Sequence, residues 1–205
     1  ELHQNIRRLT GQHVLERYGM TETAMLVSNP YEGERRAGSV GFPLPGVEVR
    51  LEGDPAEIQV KGPNVFSGYW ERPNENVDAF VDGWFRTGDL GAIDPDGYLS
   101  IVGRAKELII SGGFNVYPRE VEDVISEYEP IRECAVVGVP DDEWGEVVVA
   151  FVVADREIGD EEIKDFVGER LAHYKRPRRT YIVETLPRNA LGKIQKHRLV
   201  EEIET

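Results

Sequence analysis

Gly103-Arg104-Ala105-Lys106-Glu107 is the stretch at which the chain changes character. Ahead of it, Val47-Glu-Val-Arg-Leu51 and Glu57-Ile-Gln-Val-Lys61 alternate with period two around a turn at Gly53-Asp54-Pro55, which predicts a β-hairpin. Gly62-Pro63, Gly83 and Asp94-Pro95-Asp96-Gly97 punctuate further short segments, so residues 25–103 read as mostly β. Behind it, Pro118 suits a first helical position, and Val121, Val124, Ile125 and Tyr128 recur at helical spacing up to Pro130. Two apolar strands follow, Cys134 to Val139 and Val147 to Val153. Asp160 is expected to cap a second helix with Ile163, Phe166, Val167 and Leu171 on one face, stopped by Pro177. A third strand at Tyr181-Ile182-Val183 precedes a terminal helix containing Ile194, Leu199 and Ile203. The expectation is an α+β chain in two parts: a β-rich piece over 1–103 and a small α+β domain over 104–205.

The 205 residues are 40% apolar and 30% charged, a globular composition, with a net charge of −14. The longest apolar run, Val147 to Ala154, is far shorter than the ~20 residues of a membrane-spanning helix. The acidic balance argues against a nucleic-acid surface, which needs clustered positive charge. One cysteine excludes an internal disulfide framework and a cysteine-based zinc site, and points to a cytoplasmic setting. His3, His13, His173 and His197 lack metal-ligand spacing, and Cys134 sits among Ala and Val as a core thiol. Nothing names a protein partner, and a homo-oligomer is compatible with the sequence.

Four short stretches can carry chemistry. In Tyr18-Gly19-Met20-Thr21-Glu22-Thr23, a glycine permits a tight turn, a Thr hydroxyl can donate to phosphate and Glu22 can hold Mg²⁺. A capping Thr beside a solvated Glu is the plainer alternative. In Gly83-Trp84-Phe85-Arg86-Thr87-Gly88-Asp89, the acid can accept both hydroxyls of a ribose, or merely fix its own turn. Arg104 and Lys106, with Gly112-Gly113 after them, can line a phosphate or pantetheine path, or form a loop into the Pro118 helix. In Pro187-Arg188-Asn189-Ala190-Leu191-Gly192-Lys193, the lysine is either a solvated charge or an ammonium delivered to an anionic transition state.

Taken in order, Tyr-Gly-Met-Thr-Glu-Thr, Gly-Trp-Phe-Arg-Thr-Gly-Asp, Gly-Arg-Ala-Lys-Glu-Leu-Ile, Gly-Phe-Asn-Val-Tyr-Pro-Arg-Glu and Pro-Arg-Asn-Ala-Leu-Gly-Lys resemble the adenylate-forming superfamily of acyl-CoA synthetases, peptide-synthetase adenylation domains and luciferases. The resemblance spans essentially the whole chain. It implies the distorted-barrel end of a large AMP-binding domain followed by a mobile C-terminal lid. The family's phosphate loop and most of its large domain are expected upstream, so these 205 residues are expected to be a C-terminal piece, inactive alone towards ATP.

By resemblance, Thr21 contacts the α-phosphate, Glu22 binds Mg²⁺, and Asp89 and Arg104 hold the ribose of ATP or AMP. Tyr18 lines the adenine side, Lys106 is the hinge, Gly113 lines the pantetheine tunnel of coenzyme A, and Lys193 drives adenylation. The stretch around Glu16-Arg17-Tyr18 looks like malonyl-CoA synthetases, and Arg17 can pair bidentately with the distal carboxylate of malonate or methylmalonate. A carboxylate of the upstream domain is an alternative partner for it. A medium- or long-chain fatty acyl-CoA ligase and a non-catalytic binding module are the competing functions. Ile110 replaces a lysine that several relatives use in the thioester-forming arrangement, and the turn Glu52–Ala56 is shorter than usual.

Overall fold

The computed structural model describes residues 2–203 and divides into two compact units, Glu1–Ala105 and Lys106–Thr205. The first opens with α1 (Leu2–Thr10), followed by β1 (Arg17–Met20), β2 (Ala24–Ser28), β3 (Phe42–Pro43), β4 (Glu48–Glu52) and β5 (Glu57–Lys61). It continues with α2 (Pro73–Ala79), β6 (Phe80–Val81), β7 (Trp84–Ile93) and β8 (Leu99–Arg104). Strands β1, β2 and β3 form one antiparallel sheet, and β4-β5-β7-β6 form a second, with β8 also on β7. Among the described residues neither sheet closes into a barrel, and the isolated Gly41–Leu99 bridge links them. Leu26 and Val27 of β2 share a core with Ile58, Val60, Phe85 and Leu99.

The expected hairpin is β4–β5, with Val49 opposite Val60 and Leu51 opposite Ile58. Glu57 and Gln59 nonetheless stay buried, because their polar atoms find partners inside the unit. Glu57 accepts from Arg86 Nε at 2.8 Å and from the Gly88 amide at 3.1 Å, and Gln59 accepts from Arg50. Helix α2 falls within the stretch expected to be mostly β; it buries no residue, so no apolar stripe marks it.

The second unit runs β9 (Ile109–Ser111), β10 (Phe114–Val116), α3 (Pro118–Ile125), β11 (Ile131–Asp141), β12 (Gly145–Ala154), α4 (Asp160–Gly168), β13 (Arg179–Ile182) and α5 (Lys196–Ile203). Its sheet runs β10-β9-β12-β11, with β13 parallel to β12 and every other pairing antiparallel. Helix α4 makes the crossover that a parallel pair requires. The period-two alternation of β12 divides its apolar run between two cores. Val148, Ala150 and Val152 pack with Val121, Ile125, Ile163 and Val167 of α3 and α4, while Val147, Val149 and Phe151 pack with Leu199 of α5.

Three local expectations need correction. Asp160 is the first residue of α4 and its cap is Gly159; the Asp160 carboxylate instead accepts from the Thr180 amide at 2.6 Å, tying α4 to β13. Helix α3 stops at Ile125, and Tyr128 packs on the core from the following turn. The presumed loop at Gly112-Gly113 is a tight hairpin joining β9 to β10. Both glycines have positive φ, 57° and 81°, as a two-residue hairpin turn demands.

Candidate functional site

Asp89 is the centre of the first unit's polar cluster. It lies on β7, 5% exposed, directly after Gly88, whose φ of 71° bends the strand. Its amide donates to Thr87 Oγ1 at 3.1 Å, so Asp89 does not fix a turn of its own. The register of β7 with β8 sets Asp89 opposite Arg104, and Arg104 Nε lies 2.8 Å from Asp89 Oδ1. Tyr18, on β1, donates its hydroxyl proton to Asp89 Oδ2 at 2.6 Å. Burial first, and then the Asp89 carboxylate, push the Tyr18 phenol well above its ordinary range, so it remains a donor. Each carboxylate oxygen can accept more than one hydrogen bond, which leaves Asp89 capacity for a ligand hydroxyl. More than half of the Arg104 side chain is open to solvent.

Thr21 and Glu22 sit in the turn between β1 and β2. Thr21 is exposed, whereas Thr23 is the buried threonine of the three-residue turn, and its amide donates to the Met20 carbonyl at 3.1 Å. Gly19 is required here for close approach: a Cβ would lie 2.1 Å from the Ala24 carbonyl oxygen. Glu22 Oε1 accepts from Tyr69 at 3.1 Å, and the Glu22 carbonyl accepts from the Phe66 amide. Mg²⁺ is commonly held by one or two carboxylates together with substrate phosphates. A single half-buried carboxylate fits a metal that arrives with a nucleotide. Among the described residues no three His, Cys, Asp or Glu side chains form a metal cage. Arg17 is exposed on β1, and its guanidinium has no ion pair among the described residues.

Gly113 and Lys193 belong to the second unit, and Lys106 lies in the short 3-10 turn Ala105–Glu107 at the division between the units. Gly113 is exposed at its hairpin tip, with no atom within 4 Å of where a Cβ would stand. Lys193 is exposed on a turn that the preceding residues build. Asn189 Oδ1 accepts from the Leu191 and Lys193 amides at 3.0 and 2.9 Å. Arg188 bonds the Gly192 carbonyl and Glu133 of β11. This Asn-centred turn holds the lysine backbone while leaving its ammonium in solvent.

Residues 1–70 match the AMP-binding enzyme family and residues 120–193 match the AMP-binding enzyme C-terminal domain. A long-chain-fatty-acid–CoA ligase of Salmonella typhimurium is 42% identical over 206 residues, covering 95% of this chain and 37% of its own length. The chain belongs to the adenylate-forming superfamily. ATP-bound MatB from Rhodopseudomonas palustris superposes with a TM-score of 0.92 at 46% identity, covering 98% of this chain and 43% of that one. An O-succinylbenzoate coenzyme A synthetase from Bacillus subtilis, solved with ATP and magnesium, gives 0.86 at 39% identity over 95% of this chain and 43% of that one. The chain thus spans roughly two-fifths of these adenylate-forming relatives.

This member of the superfamily also has a feature that the motifs did not signal, a cavity of about 450 Å³ in the second unit. Trp144, Tyr174, Arg176 and Arg178 are among its walls, and Ser111 links it to the Gly112-Gly113 turn. The Arg178 guanidinium lies 4.4 Å from the Trp144 ring centroid, and Tyr174 stacks on Phe114 at 4.4 Å. Arg176 Nε is buried with no hydrogen-bond partner among the described residues. The available signal was compositional: His173-Tyr174-Lys175-Arg176-Pro177-Arg178 is the one dense basic and aromatic run in an acidic chain.

Proposed function

We propose that the chain is the C-terminal part of an ATP-dependent acyl-CoA ligase, which joins a carboxylic acid to AMP and then passes the acyl group to coenzyme A. The observation that carries this reading is the convergence of Tyr18, Asp89 and Arg104, from three separate strands, on one buried carboxylate. Asp89 and Arg104 would hold the ribose hydroxyls, Tyr18 would keep the carboxylate oriented, and Thr21 would donate to the α-phosphate. Glu22 would ligate the Mg²⁺ that accompanies ATP.

The first step brings a carboxylate against a phosphate. Each pair of unit charges ~4 Å apart repels by about 4 kcal/mol at an effective dielectric near 20. Lys193 and the metal would offset that repulsion, with little covalent help needed from the protein. Thioester formation needs a thiol at the same carbonyl, so Lys193 must give way, and rotation at Lys106 would accomplish that. Gly113, without a side chain, leaves its hairpin tip open to pantetheine. The neighbouring cavity, whose walls carry Lys164, Arg176, Arg178 and aromatic faces against two carboxylates, Glu161 and Asp165, is the candidate for the nucleotide end of coenzyme A.

Malonate or methylmalonate is the acid we favour, because Arg17, next to Tyr18 in sequence, is exposed and its guanidinium has no ion pair among the described residues. The 42% identity to a long-chain-fatty-acid–CoA ligase supports a fatty acid as the second reading. AMP release by the full-length enzyme, with ATP, Mg²⁺ and CoA, decides between them on a panel of malonate, methylmalonate, acetate, hexanoate and palmitate. Preference for a diacid supports Arg17 as its anchor. Preference for hexanoate or palmitate makes Arg17 structural, and no AMP release with any acid counts against the ligase reading itself.

A further inference from the structure

We infer that Lys196 is a positioning residue that locks the turn following the hinge to the segment carrying Lys193, so that the two move as a single piece. This rests on the proposed roles of Lys106 and Lys193. Lys196 is the first residue of α5, three positions beyond Lys193, and its side chain is 21% exposed. Its Nζ lies 2.9 Å from Glu107 Oε2 and 2.8 Å from Glu122 Oε1. Glu107 closes the 3-10 turn that contains Lys106. Glu122 is on α3, and its Oε1 also accepts from the Val136 amide of β11 at 2.8 Å. One ammonium therefore gathers the hinge turn, α3, the central sheet and the start of α5.

A half-buried ion pair such as this one, with side chains 21–41% exposed, is a poor way to add stability, because desolvation and screening offset most of the attraction; what it does well is fix geometry. The geometry fixed here is on the path from Lys106 to Lys193. The segment before α5 is held at its other end by Arg188, 2.9 Å from Glu133 Oε2, and by the Gln195 amide on the Pro187 carbonyl at 2.8 Å. With both ends pinned, a backbone rotation at Lys106 reaches Lys193 without being absorbed between them. Without Lys196, the hinge turn loses its side-chain tie to α3 and α5, and Glu107 loses the cation it meets.

The test uses the full-length enzyme with Lys196→Met, Lys196→Arg and Glu107→Gln. Adenylation is read by acid-dependent ATP–pyrophosphate exchange, and thioester formation from supplied acyl-adenylate; melting temperature is read alongside. Lys196→Met is expected to lower kcat in both half-reactions by roughly tenfold to a hundredfold, the scale of a small misplacement of reacting groups, with KM for ATP and acid little changed. Lys196→Arg is expected to restore most of the rate, and Glu107→Gln to show a weaker form of the same kcat loss. A lower melting temperature with normal kcat per folded molecule, or no rescue by arginine, overturns the inference. Should Lys196→Met not fold, Glu107→Gln decides alone, because it removes one arm of the contact and leaves α5 packed. Lys193→Ala separates this from the underlying reading: full adenylation by that variant refutes the role of Lys193, whereas its loss beside a fully active Lys196→Met refutes only the role of Lys196.

Discussion

Tyr18 and Asp89, 71 residues apart in sequence, meet at 2.6 Å through the phenol and one carboxylate oxygen. The phenol keeps its proton because burial and the facing carboxylate both disfavour phenolate. Tyr18→Phe removes that donor and leaves Oδ2 of a 5% exposed carboxylate without it. A hydrogen bond to a charged group contributes about 1.5 kcal/mol or more, so ATP affinity of the full-length enzyme is expected to fall roughly tenfold. Nucleotide titration checks this, and an unchanged affinity would detach Tyr18 from the nucleotide.

Lys193 stands on a turn whose backbone is held by Asn189. Lys193→Ala therefore leaves the turn intact and removes only the ammonium. Acyl-adenylate formation should be lost, with thioester formation from supplied adenylate largely retained. Equal loss of both steps would remove the distinction between the two catalytic arrangements.

Gly19→Ala sets a methyl group 2.1 Å from the Ala24 carbonyl oxygen and 3.0 Å from Met25 Cα, all of it backbone that cannot rotate away. Overpacking of this kind costs about 1–3 kcal/mol or more. The β1–β2 pair should open, lowering the urea midpoint of the first unit and weakening nucleotide binding with it. A wild-type midpoint would contradict the close approach.

Glu162 is held down at about 2 from an ordinary 4.5 by the Arg156 guanidinium, the Tyr128 hydroxyl and the Gly159 amide. Its folded-state value is depressed, so its contribution to stability is present above pH 4.5 and disappears as pH falls towards 2. Glu162→Gln should flatten the acid limb of melting temperature against pH. Parallel curves for the two proteins over pH 2–6 would exclude this source of acid sensitivity.

Cys134 is pushed up to about 11 from 9.0, chiefly by burial, against an opposing effect of the Ser126 hydroxyl. Its thiolate fraction at pH 8 should be at least ~10-fold below that of an ordinary thiol, and reaction with an aromatic disulfide reagent correspondingly slow until urea unfolds the chain. A raised folded-state value contributes stability that is complete below pH 9 and lost as pH rises towards 11. Fast labelling of the native protein would contradict the burial.

What could be read from residues alone follows the range of the interactions. The β4–β5 hairpin was legible because alternation and its Gly-Asp-Pro turn are adjacent in sequence. The β9–β10 hairpin was not, since three-residue strands carry no measurable period, although the Gly-Gly pair was its signal. Helix α2 hid for a different reason: Val77 is 75% exposed, so no buried face exists to be seen. At the site, Asp89 and Arg104 were candidates by residue type and acquired a joint role only through the family resemblance; their pairing depends on the β7–β8 register, and the Tyr18 contact on two different sheets. Lys196 passed unnoticed because Glu107 lies 89 residues before it and nothing local announces a half-buried, paired lysine.

The apolar run of β12 carries a burden during biosynthesis. One of its faces is covered by α3, already made, and by α4, which follows closely. The other face, with Val147, Val149 and Phe151, waits for Leu199 on α5, more than forty residues further along. While the ribosome makes that stretch, a broad β-branched surface stands bare, the kind that pairs with other nascent chains. Cutting the chain before α5 would make this passing hazard permanent, so a truncated product should collect in inclusion bodies even though every strand of its sheet is present.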